Sequence, residues 1–392
     1  MEKELLNNVI KSIGKFNSHK KSVVYLHEPN IDKNDWINVK ECLERNFVST
    51  VGNYVNEFED ELKKFTKSKY VVAIVNGTSA LHVSLKVLGV EYNDEVLMPS
   101  LNFIASSNAA SYCGAIPHFV EVDKDTMGVD PKKLKDYLQK LVFLKKGKAY
   151  NKKTKRRISC FILLHLFGHP SKVDVVKKIL SKFKIPMIED TAEGLGSFYK
   201  KKHLGTFGNI GVLSFNGNKI ITTGSGGAIL TNNKSIAKKL KFLTTTAKIP
   251  HKWKYEYSDV GFNYRLAGIN AALGCSQLKK LKNYIRLKRK LFLIYLKNFS
   301  GSKNFEIFKE PKFSKSNYWL QTLLLKKSSL RKRDNLIKMM NDEGFSARPV
   351  WKPLHKLKHL KTCPKMNLTV TEDLEARIIN LPSSAYLANY KF

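Results

Sequence analysis

YVVAIVNGTSALHVSLKVLG, residues 70–89, decides the fold. YVVAIV is a short apolar run rich in β-branched residues, which reads as a buried strand. SALHVSLKVLG then spaces its apolar residues as a helix does and runs out at Gly89. The same alternation continues. EVLMP gives a second strand, NFIASSNAASYCG a helix and IPHFVEV a third strand. DPKKLKDYLQKL opens with an Asp-Pro helix start, ISCFILLHLFG is an apolar strand, KVDVVKKILSKFK is amphipathic, and IPMIED closes on two carboxylates. Strands alternating with helices imply βαβ units, hence an α/β fold with a mostly parallel sheet. Ligands of such sheets bind at the carboxyl ends of the strands, so function is expected there. Residues 143–157, FLKKGKAYNKKTKRR, read as a surface loop. After about residue 250 the alternation lapses into long helical stretches. The expected division is an N-terminal helical segment over 1–25, a large domain over 26–250 and a smaller C-terminal α/β domain over 251–392.

A chain of 392 residues suits such a two-domain plan. The first sixteen residues scatter charge through their apolar positions and contain no secretory signal. FILLHLF is far shorter than the roughly 20 residues of a membrane span. A cytoplasmic protein with no membrane association is expected. The five cysteines, Cys42, Cys113, Cys160, Cys275 and Cys363, are widely spaced with no CxxC pair. They read as reduced structural thiols, and no metal site is expected. A net charge of +36 would attract nucleic acid or acidic metabolites. Its lysines, however, are spread through almost every segment instead of forming one stripe, so a specific nucleic-acid site is not expected.

Three features carry chemistry. Asn76-Gly77-Thr78-Ser79 lies where a strand hands over to a helix, which aims free N–H groups and the positive end of the helix dipole at an anion. The same residues also make an ordinary capped helix start. Asp190 ends the IPMIED strand, where it either caps a helix or reaches into a cleft to pair with a protonated ring nitrogen. In SFNGNKIITTGSGG (residues 214–227) Lys219 has Gly217 before it and Gly224, Gly226 and Gly227 after it, a pattern suggesting backbone packed around a bound group. A surface role is the usual fate of one lysine among so many. The ordered combination of cradle, Asp and Lys is what a pyridoxal-phosphate enzyme needs.

Longer motifs sharpen this. NGTSALH, PSLNFIASSNAASYCGAIPHFVEVD (99–123), EDTAEGLGSFYKKKHLGTFGNIGVLSFNGNKIITTGSGG (189–227) and DVGFNYRLAGINAALGCSQL (259–278) closely resemble the DegT/DnrJ/EryC1/StrS family of sugar aminotransferases, from about Leu26 to Leu387. LHEPNIDKNDW, LTTTAKIPHKW, RPVWKPLHKL and EARIINLPSS look most like its LegC branch, which aminates C4 of UDP-2-acetamido-4-keto-2,4,6-trideoxy-hexose. The resemblance implies a fold-type-I pyridoxal-phosphate-dependent transferase. It makes Lys219 the cofactor-bearing and proton-shuttling lysine and Asp190 the partner of the pyridine nitrogen. Gly77, Thr78 and Ser214 would hold the phosphate, with Asn216 nearby, and Phe103 would stack on the ring. Glu193 stands where many relatives have Gln or His near the cofactor hydroxyl. Asn263 would reach the cofactor phosphate of a second subunit, implying a homodimer with shared sites. Val48 and Ser49, in the 48–52 loop, and His355 are candidates for meeting the sugar nucleotide. The implied substrates are L-glutamate and a UDP-linked 4-keto sugar, in a pathway such as legionaminic acid or bacillosamine synthesis for surface glycans. A GDP-linked or 3-keto sugar, or a non-catalytic basic nucleic-acid-binding protein on the same fold, are the alternatives. Relatives that dehydrate sugars typically replace the lysine with His, so Lys219 favours transamination.

Overall fold

A computed structural model describes residues 1–14, 23–50 and 52–389. Its centre is a seven-stranded sheet built from β1 (Tyr70–Ile74), β2 (Glu95–Pro99), β3 (Ile116–Val120), β4 (Ile158–Leu164), β5 (Met187–Asp190), β6 (Ile210–Ser214) and β7 (Gly227–Thr231), in the spatial order β1-β7-β6-β5-β4-β2-β3. Four of the six pairings are parallel, from β6 through β3. β7 runs antiparallel to both its neighbours, β1 and β6. The sheet is therefore mostly parallel, as the apolar runs of the strands require. Buried on both faces, they cannot show the polar–apolar alternation of a half-exposed strand.

Helices cover the sheet where the sequence places them. The helix Gly77–Val87 is capped by Asn76, whose Oδ1 accepts the Ser79 N–H at 2.7 Å. Pro131–Leu141 is capped by Asp130, which accepts the N–H groups of Lys132 and Lys133. Both caps satisfy donors that the first turn of a helix leaves free. The segment expected as a loop after residue 142 is instead a hairpin, Val142–Lys145 paired with Lys148–Asn151. Lys146 (φ 49°) and Gly147 (φ 72°) both adopt the left-handed turn conformation that suits a two-residue hairpin. Phe143 stacks on Tyr150 at 5.7 Å, so the lysines of this stretch decorate an ordered ribbon.

Beyond residue 267 one 31-residue helix, Gly268–Asn298, leads into a four-stranded antiparallel sheet of Phe305–Ile307, Gln321–Leu325, Ile378–Leu381 and Arg348–Pro349. The first helix, Glu2–Ile13, is not a detached appendage. It packs on the long helix and on Leu330–Asp342. Leu5 and Val9 are fully buried in the same core as Leu281, Leu291 and Tyr295. Burial on this scale stabilises by about 1.5–3 kcal/mol per side chain. Asn298 and Asn304 add hydrogen bonds to Ser12 and Glu4.

Among the described residues no helix is long and apolar enough to cross a membrane, and no cluster of His, Cys, Asp and Glu could hold a metal ion. All five cysteines are free thiols.

Candidate active site

The carboxyl ends of β1, β2, β4, β5 and β6 converge on one cavity of about 300 Å³. Its lining includes Gly77, Thr78, Asn102, Phe103, Asp190, Glu193, Ser214, Asn216 and Lys219. Eight of the positions expected from sequence thus share a single hollow with Asn102, although residues 77 and 219 are far apart in the chain.

One wall is the anion cradle. Gly77 is the first residue of its helix, so its N–H and that of Thr78 precede the helical ladder while Asn76 caps Ser79. The capped-start and anion-cradle readings of these residues are both physically compatible: the cap leaves the first two donors available. A Cβ on Gly77 would lie 3.1 Å from Ser214 Cβ, closing the gap between the helix start and the strand end. Gly227 is equally constrained, since a Cβ there would come within 2.8–2.9 Å of the Asn76 carbon, the Leu213 oxygen and the Gly77 nitrogen. Any larger residue would push β7 away from the cradle. Gly217 differs from the sequence expectation: a Cβ there would meet nothing within 4 Å, so close packing does not require it. Gly224, at φ 79°, is needed for the bend itself.

Asp190, the last residue of β5, also lines the cavity. Its Oδ2 accepts the Ser106 hydroxyl at 3.0 Å and its Oδ1 the Ala192 N–H at 3.2 Å. The two bonds fix the carboxylate in place, while burial pushes its pKa above the ordinary value. Lys219 lies on the connection between the antiparallel pair β6 and β7, tied back by its N–H to the Asn216 carbonyl at 2.9 Å. Its amine stands 4.0 Å from the centre of the Trp319 ring and 3.9 Å from Glu193 Oε1. Burial disfavours the ammonium and lowers the Lys219 pKa, while Glu193 and Asp190 pull the other way. Burial also raises the Glu193 carboxyl to about 7, although Lys219 opposes this and the Phe167 N–H donates to Glu193 Oε2 at 2.6 Å. Burial thus disfavours the charged form of both groups, lowering the lysine and raising the carboxyl, which narrows the gap across which a proton would pass between them.

Phe103 stays 46% exposed at the cavity mouth, its ring 5.6 Å from Trp351. Trp351 in turn contacts Phe167, and Phe167 contacts Trp319. Neither tryptophan was singled out from sequence. Trp351 lies in RPVWKPLHKL, whose resemblance carried no role for that ring. Trp319 has no local pattern at all; its Nε1 donates to the Asn218 carbonyl at 2.8 Å, one residue from Lys219. Ser106 and Asn102 were likewise missed, because only the fold shows which helix and loop residues meet Asp190 or the cavity.

Four candidate residues do not line this cavity. His355 is occupied elsewhere: Nδ1 shares a 2.7 Å hydrogen bond with Ser100 Oγ and Nε2 meets Glu372 Oε1 at 3.0 Å. Both ring nitrogens brace the C-terminal segment against the loop after β2, which leaves neither free for a ligand in this conformation. Val48 and Ser49 offer their carbonyls to the first N–H groups of the long helix, Ile269 and Gly268. Val51, in the same loop, lies outside the described residues. Asn263 is exposed on the segment that bridges to Thr245.

A second cavity of about 560 Å³ adjoins the first, sharing Asn218, Trp319 and Trp351 with it. Among the described residues, His27, Arg348 and Lys352 line it and no carboxylate does.

These residues fit pyridoxal phosphate. The Gly77 cradle would be filled by a Cβ, a buried carboxylate faces a buried lysine across an aromatic-walled hollow, and Asn102 has a carboxamide awaiting a partner. Fold and site together define a pyridoxal-phosphate-dependent aminotransferase. More narrowly, the chain belongs to the DegT/DnrJ/EryC1/StrS aminotransferase family, whose model matches residues 29–391 and whose members depend on that cofactor. It is 34% identical over 364 residues to the GDP-perosamine synthase of Escherichia coli O157:H7, covering 93% of this chain and 94% of that one. It is 29% identical to the UDP-4-amino-4,6-dideoxy-N-acetyl-beta-L-altrosamine transaminase of Campylobacter jejuni strain 81-176, covering 86% of each. The crystal structure of Helicobacter pylori PseC, an aminotransferase of pseudaminic acid biosynthesis, superposes with a TM-score of 0.83 at 25% identity, over 94% of this chain and 97% of that one. The non-catalytic reading is thereby set aside.

Proposed function

We propose that this enzyme moves an amino group from L-glutamate to C4 of a UDP-linked 4-keto-6-deoxy-N-acetylhexosamine, in the cytoplasm, for an amino sugar of a surface glycan such as legionaminic acid or a bacillosamine-type sugar. The observation that carries the nucleotide-sugar reading is the second cavity. It opens beside Lys219, and its charged lining among the described residues, Arg348 and Lys352, is cationic, which suits the diphosphate of such a substrate. The UDP and N-acetyl assignment rests on the LegC-like segments and on the similarity to the Campylobacter transaminase.

Bound in the first cavity, pyridoxal phosphate supplies an electron sink for the carbon that gains or loses the amine. The chain's own residues do the rest. Lys219, disfavoured as an ammonium by burial, would carry through Nζ the proton that leaves the donor's amino-bearing carbon to the cofactor and, in the second half-reaction, a proton from the cofactor to C4 of the sugar. Asp190, held by Ser106 and Ala192, keeps a proton on the ring nitrogen. Gly77, Thr78 and Ser214 hold the phosphate, and Phe103, Trp319 and Trp351 wall the site with rings that exclude water.

A homodimer with shared sites accompanies this reading. The short hairpin Lys248–Ile249/Glu256–Tyr257 and its surroundings expose Trp253 (73%), Tyr255 (77%) and Val260 (79%), an apolar surface beside the exposed Asn263 that a second copy would cover.

A GDP-linked keto sugar is the second reading, favoured by the 34% identity to GDP-perosamine synthase. The deciding experiment loads the enzyme with pyridoxal phosphate, converts it with glutamate and offers UDP- and GDP-linked 4-keto sugars in turn. Return of the starting absorption band with the UDP sugar alone supports the proposal. Return with the GDP sugar alone transfers the assignment, and no conversion by glutamate removes the proposed donor.

A further inference from the structure

Most polar groups of the Lys219 cavity already have work. Asp190 is fixed by Ser106 and Ala192, Asn216 donates to Asn218 at 3.3 Å, and Glu193 holds one oxygen on the Phe167 N–H. Asn102 is the lining residue whose fully buried polar atoms lack partners among the described residues. It is completely buried, it lines this cavity, and neither Nδ2 nor Oδ1 has a hydrogen-bond partner among the described residues. A buried carboxamide with no partner is destabilising, and a leucine of similar size would avoid that cost. Folded proteins pair such groups, and within a ligand cavity the partner can arrive with the ligand.

The loop carrying Asn102 cannot easily turn to find a partner elsewhere. Just before it, Ser100 receives the Leu354 N–H on its carbonyl and the His355 N–H on its hydroxyl, and its own N–H reaches Val120. Leu101 is sunk in the core. The side chain is pre-set, which is how fixed binding groups are built.

Elimination indicates what it awaits. With the ring nitrogen directed to Asp190, the phosphate to the Gly77 cradle and the aldehyde to Lys219, the cofactor's ring hydroxyl is left. Only Glu193 Oε1 and Asn102 stand ready for it among the side chains just considered. We infer that Asn102 is a cofactor-positioning residue whose carboxamide hydrogen-bonds the ring hydroxyl of bound pyridoxal phosphate. This rests on the cofactor assignment of the site. Unlike Glu193, the amide keeps one charge state at every pH, so it can donate to the hydroxyl oxygen in its anionic form throughout the working range. That donation stabilises the anion and lowers the pH at which the lysine-linked cofactor gives up its proton.

The test is Asn102→Leu beside wild type and Lys219→Ala, with three readouts: melting temperature without cofactor, affinity for pyridoxal phosphate by absorbance titration, and the pH midpoint of the absorption change of the bound form. The inference expects Asn102→Leu to melt no lower than wild type without cofactor. It also expects cofactor affinity to fall about tenfold, the size of one lost hydrogen bond, and the midpoint to move to higher pH. A lower melting temperature with unchanged affinity and midpoint would mean that Asn102 is structural, and the inference fails. Asn102→Thr, which keeps a hydroxyl donor, should restore part of the affinity and guards against a Leu variant that does not fold. If wild type shows no Lys219-dependent band, the cofactor assignment falls and takes the inference with it. If wild type shows the band and Asn102→Leu matches it in both cofactor readouts, only the inference falls.

Discussion

The amine of Lys219 stands 3.9 Å from Glu193 Oε1, and burial shifts the two groups in opposite directions, the lysine down and the carboxyl up to about 7. Glu193→Gln removes the nearer of the two charges that favour the Lys219 ammonium. Lys219 should therefore become a free amine at lower pH, and the pH profile for covalent uptake of pyridoxal phosphate should shift to the acid side. An unshifted profile would mean that the two groups are not coupled. The same carboxyl has a stability signature. Its folded pKa lies above the ordinary value of 4.5, so its favourable contribution is complete below pH 4.5 and is lost as pH rises through about 7. Cofactor-free wild type should lose stability across that window more steeply than Glu193→Gln, by about 1–3 kcal/mol in total.

Lys219→Ala leaves the cradle and Asp190 intact but removes the group proposed to move the proton. Turnover should fall by roughly 10³-fold or more, and the lysine-dependent absorption band should vanish while non-covalent cofactor binding persists. Activity close to wild type would overturn the role assigned to this residue.

Gly77→Ala tests the cradle. The new methyl would sit 3.1 Å from Ser214 Cβ, in the space between the helix start and the strand end. Alanine suits the first turn of a helix, so thermal stability without cofactor should change by less than about 1 kcal/mol. Affinity for pyridoxal phosphate should fall by about tenfold or more, read by titration.

Ser106→Ala removes one of the two hydrogen bonds that fix Asp190. A hydrogen bond to a charged group contributes about 1.5–3 kcal/mol, so kcat should fall by roughly 10- to 100-fold. Asp190 should also become easier to protonate, which raises the acid limb of the pH–rate profile. A change in KM for the sugar alone would place Ser106 in substrate binding instead.

Mixing Lys219→Ala with Asn263→Ala tests the shared site. If Asn263 of one copy completes the site of the other, half of a randomised dimer population is mixed, and each mixed dimer holds one native site. Roughly a quarter of wild-type activity should reappear from two inactive parents. No recovery after subunit exchange would place Asn263 within its own subunit's site or outside any site.

The legible parts of the sequence were those with local physics. The apolar runs ending at Ile74, Pro99, Leu164 and Asp190 specify buried strands, and Asn76 and Asp130 mark helix starts by their capping chemistry. Lys219, Asp190 and Gly77 were visible because long ordered motifs surround them. Ser106, Asn102, Trp319 and Trp351 were not. Their importance depends on long-range contacts, such as the one between Ser106 and Asp190, that no periodicity encodes. The place of His355 outside the cavity was hidden for the same reason, since Ser100 and Glu372 become its neighbours only once the C-terminal segment folds back onto the sheet. The hairpin at Lys146-Gly147 was hidden by its charge: lysine is common in loops, and the turn geometry lies in the backbone.

The burial of Leu5 and Val9 against the long helix Gly268–Asn298 sets an order of assembly. During synthesis the first helix emerges before any strand of the sheet, with an apolar face whose partners do not yet exist. It must remain unsatisfied while the entire sheet is made, and it docks only after the long helix has formed. Removing this helix or disrupting its apolar face should therefore disturb the last stage of folding and be felt as slow maturation and aggregation before it is felt as altered chemistry.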